Sequence, residues 1–183
     1  MGSGADTMRV RIEDVAAAAG VSITRAAPAC VADAAALSPT LFAPEAYGLW
    51  RDQIEAAPEA MHPPILERFR GGKEVSAPDF VAAWESLVRY RREWAAEMAG
   101  HDAVILPTVP ILPPDAERLA TDTDYFVKAN LLTLRNTRVG NLMGLPAATL
   151  PTGQPGCGLM AMGATDGDRR LMRVAAAIEA ALG

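Results

Sequence analysis

Lysine is nearly missing from this chain: Lys73 and Lys128 are the only two, and the formal net charge is −5 over 183 residues. That balance excludes a general phosphate-binding surface and leaves nucleic acid an unexpected partner. Cysteine is as scarce. Cys30 and Cys157 lie far apart without metal-type spacing, so no metal centre is expected and a reduced, cytoplasmic setting follows. No apolar run approaches the roughly 18 residues that a membrane span needs. No charged-then-apolar signal segment opens the chain, and there is no internal repeat or low-complexity linker.

What remains is half apolar, with alanine dominant, and long enough for one domain with a sizeable core. Residues 1–8 are expected to be a flexible N-terminal segment and residues 9–183 a single α/β domain. Ile12, Val15, Ala16 and Ala19 share a helical face that Gly20 ends. Val21 to Thr24 alternates like a short strand. Pro28 opens a helix through Leu37. Tyr47, Trp50 and Ile54 mark an apolar helical face in a region interrupted by Pro39, Pro44 and Gly48. A short helix over Met61–Arg70 stops at Gly71 and Gly72. The spacing of Phe80, Ala83, Leu87, Tyr90, Trp94 and Met98 predicts a long amphipathic helix. Ser76 and Asp79 have capping-box spacing at its start, and Gly100 closes it.

Beyond that helix, Asp102–Pro107 reads as a strand buried on both faces. Val109–Pro114 is an irregular loop. Asp122 or Thr123 caps a helix to about Leu134. Ala147–Leu150 and Leu159–Met162 are further buried strands, expected to pair antiparallel. Asp166 or Asp168 caps a last helix carrying Leu171, Ala175, Ile178 and Leu182. The order predicts a mixed α/β sheet flanked by helices, with a parallel first crossover.

Between the last two helices, Arg135–Gly153 gathers two Asn, three Thr and three Gly beside an apolar run. Loops that present polar groups from the edge of a rigid sheet look like this. His101–Pro110, Arg135–Ala147, Gly158–Gly163 and Asp168–Glu179 together resemble the C-terminal part of the amidase signature family. Ser76-Ala77-Pro78-Asp79-Phe80 is similar to the start of that family's preceding long helix. The Pro155-Gly156-Cys157-Gly158 turn departs from the family's pattern. The resemblance implies hydrolysis of carboxylic amide C–N bonds without a cofactor. It implies a nucleophilic serine and a second serine in a Gly/Ser-rich segment, with a lysine base. Ser3, Ser22, Ser38, Ser76 and Ser86 are this chain's serines, none in a Gly-Gly-Ser-Ser setting. Neither Lys73 nor Lys128 matches a catalytic position. No catalytic residue is therefore assigned. The chain resembles a C-terminal portion that supplies scaffold and pocket wall, and is expected to be inactive alone. Its implied partners are an N-terminal amidase portion or a second copy, together with a small amide substrate.

Four residues are candidates for substrate binding. Thr108 follows the prolyl end of a strand, where α/β folds place ligands. Asn136, Thr137 and Asn141 could reach substrate or support the oxyanion loop, or serve helix capping and turns. Gly140, Gly144 and Gly153 read as conformational. Cys157 lacks the partners of a reactive thiol, His62 and His101 read as loop residues, and Asp115, Glu117, Asp122 and Asp124 read as a solvated loop. Two further readings stay open. One is a non-catalytic partner subunit with an amidase-like fold. The other is DNA binding, since Arg11–Ser22 looks like the opening of a lac-repressor-type helix-turn-helix; Pro28 inside the would-be recognition helix and the thin basic charge argue against it.

Overall fold

The computed structural model describes residues 20–182 together with Glu13 and Ala17, so the helical face expected at Ile12, Val15, Ala16 and Ala19 lies outside the described residues. Two compact units divide the chain, one formed by residues 1–27 with 95–183 and the other by residues 28–94.

The unit of residues 28–94 is helical. Helix α1 spans Ala29–Ala36, α2 Ser38–Ala56, α3 Pro63–Arg70 and α4 Ala77–Glu97. Cys30, Ala34, Leu41, Ile54, Leu66, Ala83 and Leu87 form its core. The uneven region expected around Pro44 is instead one continuous helix. Trp50 also departs from expectation, being 57% exposed while Ile54 is buried. Ile54 faces the core, whereas Trp50, four residues earlier, sits at the helix's wet edge. At the start of α4, Ser76 Oγ accepts from the Asp79 backbone N–H and donates to Asp79 Oδ2 at 2.6 Å. The helix breaker after α3 works differently from the expected glycine stop. Gly71 has φ −57°, and the chain continues into a 3-10 turn over Gly71–Glu74. The need for glycine falls on Gly72, where a Cβ would lie 2.3 Å from the Ala43 carbonyl oxygen.

The other unit carries the sheet. Strand β1 spans Val104–Pro107, β2 Ala147–Pro151 and β3 Gly158–Met162. The order is β1-β3-β2, and both pairings are antiparallel. The expected hairpin is present, with Thr149 opposite Met160. The expected parallel crossover is realised only in direction: β1 and β2 point the same way, but β3 lies between them. The reason is in the side chains. Leu159, Met160, Ala161 and Met162 are at most 2% exposed, so β3 takes the centre. In β2 the residues Ala147, Thr149 and Pro151 are exposed, so that strand is not buried on both faces, and β1 is half-buried throughout. Val21–Thr24 is not a strand, and residues 21–28 contain no helix that could enter a DNA groove.

Helices α5 (Ala116–Thr121), α6 (Thr123–Thr133) and α7 (Thr137–Met143) connect β1 to β2. Helix α8 (Asp168–Leu182) follows β3 and packs on β2 and β3. Leu171 and Ala175 form its buried edge. Burying each leucine or methionine of this core contributes about 1.5–3 kcal/mol. Gly163 lets α8 approach, since a Cβ there would stand 3.1 Å from Leu171 Cβ. An exposed ion pair from Arg170 to Asp102 joins the start of α8 to the residues before β1. Among the described residues, no helix is long and apolar enough to cross a membrane.

Candidate functional site

The candidate site forms where β1 ends. Proline at position 107 stops the strand, but the ladder continues for one bond, from the Thr108 N–H to the Gly158 carbonyl at 2.9 Å. This sets the Thr108 hydroxyl beside that of Thr149, at 3.4 Å. Gly158 opposite them has no room for a side chain: a Cβ would lie 2.8 Å from Thr108 Oγ1 and 3.1 Å from Thr149 Cγ2.

Asn136 stands at the N-terminus of α7, yet its side chain does not cap that helix. It reaches back and donates from Nδ2 to the Pro107 carbonyl at 2.7 Å. That bond ties the α6–α7 junction to the strand end carrying Thr108. Thr137 is spent locally, donating to the Leu134 carbonyl at 3.2 Å across the junction. Asn141 is exposed one turn further along α7. The structure therefore brings Thr108 and Asn136 together through Pro107 and leaves Thr137 and Asn141 on the neighbouring helix face. Thr149 belongs to the cluster although sequence reading did not single it out. Its signal was the alternation in Ala147–Pro151, which puts Thr149 on the exposed face of an otherwise apolar strand.

The turn between β2 and β3 holds the cluster's far side. Thr152 is buried and donates from its hydroxyl to the Cys157 carbonyl at 3.0 Å. Gly153 and Gly156 take the left-handed φ values of 71° and 75° that this turn requires, and Gly144 ends α7 at 68°. Gly140 does not belong with them. It is helical, and a Cβ would meet Met162 Cε at an ordinary 3.6 Å. Neither the half-buried Cys157 nor the buried Cys30 is in a disulfide.

A separate groove of about 600 Å³ lies along α6. Ile111, Pro113 and Leu132 supply apolar walls, and Arg118, Asp122 and Lys128 supply charge. None of the four sequence candidates lines it. The acidic stretch expected to be a solvated loop forms the starts of two helices beside it. Asp115 accepts from the Arg118 N–H at 2.8 Å and Asp122 from the Tyr125 N–H at 2.9 Å. The Tyr125 N–H, followed by Arg118, holds the Asp122 carboxyl below the usual carboxylate range. Arg118 lies 4.0 Å over the Tyr125 ring, and Tyr125 Oη accepts from the Asp115 N–H at 3.1 Å. Among the described residues, no group of three or more His, Cys, Asp or Glu side chains could hold a metal ion.

No protein-family profile matches the chain. A 2-amino-5-chloromuconic acid deaminase of Comamonas testosteroni is 31% identical over 129 residues, covering 68% of this chain and 28% of that protein. Solved structures share the fold. An allophanate hydrolase of Kluyveromyces lactis superimposes with TM-score 0.81 at 18% identity, over 95% of this chain and 29% of that one. An amidase gives 0.73 at 22% identity, over 97% of this chain and 42% of that one. A 6-aminohexanoate cyclic dimer hydrolase gives 0.72 at 24% identity, over 94% and 41% respectively. The chain thus spans well under half the length of these proteins. Taken with the four sequence blocks and the strand-end geometry, these likenesses assign the chain to the amidase signature family, of whose fold it represents the C-terminal part.

Proposed function

We propose that this chain supplies sheet strands and one pocket wall to an amide-hydrolysing enzyme of the amidase signature type. The nucleophilic serine, the bridging serine and the lysine base reside on a complementary N-terminal portion. The observation that carries the reading is coverage: the chain accounts for only 28% of its curated relative and 29–42% of the similar structures. The relative is named a deaminase, which also breaks a C–N bond, and this supports C–N cleavage as the chemistry.

The chain's own residues support the division of labour. A serine hydroxyl becomes nucleophilic only when a neighbouring base takes its proton. Ser76 is committed to capping α4, and Ser38 is buried without a hydrogen-bond partner. Among the described residues, no serine hydroxyl is hydrogen-bonded to a lysine. In the complete enzyme, Thr108 faces the amide substrate from the end of β1. Asn136 positions that strand end, while Thr137 and Asn141 continue the wall along α7. Backbone N–H groups that stabilise the tetrahedral oxyanion belong to the complementary portion.

The test is hydrolysis of a simple aryl amide by the purified chain, alone and mixed with an N-terminal amidase portion bearing the Gly-Gly-Ser-Ser segment. No turnover is expected alone and turnover is expected in the complex. Sustained turnover by the chain alone, surviving removal of contaminants, would overturn the proposal. A stable complex without turnover would favour a non-catalytic partner subunit instead.

A further inference from the structure

We propose that the outward face of α4 is a self-association surface on which two copies of this chain pack antiparallel about a two-fold axis near Val88. Helix α4 has two faces of different character. Ala83, Leu87 and Trp94 are 5%, 2% and 6% exposed and fill the core side. On the opposite side, Val81 and Val88 are 59% and 37% exposed, although both are large and apolar. Spaced two turns apart, they stand one above the other on the outward face.

Glu85 and Arg92 share that face. They are seven residues apart, about 10 Å along the axis, too far to pair within one helix. Among the described residues neither makes an ion pair or hydrogen bond. Their neighbours are already occupied: Arg89 pairs with Glu93 at 3.9 Å, and Arg91 lies 5.6 Å over the Trp84 ring. The outward face thus reads acid, valine, base, with both charges unmatched.

That order is self-complementary. In an antiparallel pair with its axis close to Val88, Glu85 of each copy meets Arg92 of the other. Val88 meets its own counterpart, and Val81 meets the small residues Ala95 and Ala96. One patch serving both partners is what a two-fold interface requires. An acidic or basic partner surface would leave one of the two charges opposed to its own sign.

The experiment measures the mass of the full chain by sedimentation across a concentration series. A concentration-dependent dimer is expected. Arg92→Glu and Glu85→Arg each turn both symmetric pairs into like-charge contacts and are expected to raise the dimer dissociation constant roughly tenfold or more. The double variant Glu85→Arg with Arg92→Glu should restore it. Both substituted positions are exposed, and unchanged circular dichroism melting would show that the variants fold. A monomer at every concentration overturns the proposal. So does a dimer indifferent to the charge swap, or one lost instead on Trp50→Ala, which would put the interface on α2.

Discussion

The side-chain amide of Asn136 donates to the backbone carbonyl of Pro107 across 2.7 Å, linking residues 29 positions apart in sequence. It fixes where the chain leaves β1, and so where Thr108 stands. Asn136→Ala would leave a half-buried carbonyl without its donor and is expected to destabilise the sheet unit by about 1–2 kcal/mol. Asn136→Asp should cost more, because a carboxylate would face the carbonyl oxygen. Urea unfolding of the three proteins measures this. Equal midpoints for wild type and Asn136→Asp would mean that the bond holds nothing together.

Thr108 and Gly158 are predicted to be energetically coupled. Gly158→Ala brings a Cβ to 2.8 Å from Thr108 Oγ1, and overpacking of this kind costs about 1–3 kcal/mol. Thr108→Ala removes the nearest atom. In the double variant the loss should be smaller than the sum of the singles by about 0.5 kcal/mol or more. A double-mutant cycle by thermal unfolding decides it. Strict additivity would place the clash elsewhere, at Thr149.

Two glycines separate backbone necessity from habit. Gly72→Ala sets a Cβ 2.3 Å from a backbone oxygen of α2, which cannot rotate away. A loss of about 3 kcal/mol or more is expected. Gly140→Ala meets the end of Met162 at 3.6 Å and the Leu145 carbonyl oxygen at 3.7 Å, both ordinary contacts, inside a helix, and should stabilise by about 0.5–1 kcal/mol. Comparing the two melting temperatures with wild type measures both effects.

This contrast also shows where the sequence is readable. Periodicity located α4 and α8, and apolar runs located all three strands, because those signals are local. Capping chemistry at Ser76 and Asp122 was legible for the same reason. Sheet order was not, since nothing within β3 says that it separates β1 from β2; only the burial of Leu159 through Met162 shows it. The Asn136–Pro107 bond was invisible because Asn at a helix start ordinarily caps its own helix. Of the glycines, Gly140 looked conformational in sequence, while Gly72 read only as part of a helix stop and Gly158 only as part of a turn; the backbone and side chains that crowd them are distant in sequence.

Acid sensitivity at the start of α6 follows from Asp122. Its carboxyl is held below the ordinary value chiefly by the Tyr125 backbone N–H. A depressed value means that the charged form favours the folded state. The stabilisation is present above the ordinary carboxylate pKa, about 3.9, and is lost as pH falls through the folded value. Asp122→Asn can still accept from the Tyr125 N–H, since Asn is also a good N-cap, but it cannot titrate. Its melting temperature should therefore lie below wild type near neutral pH and converge with it in acid. Asp122→Ala loses the cap in both ranges and should stay below wild type throughout. If wild type and Asp122→Asn ran parallel down to strong acid, the carboxylate charge would contribute nothing, and Asp122 would act only as a hydrogen-bond acceptor.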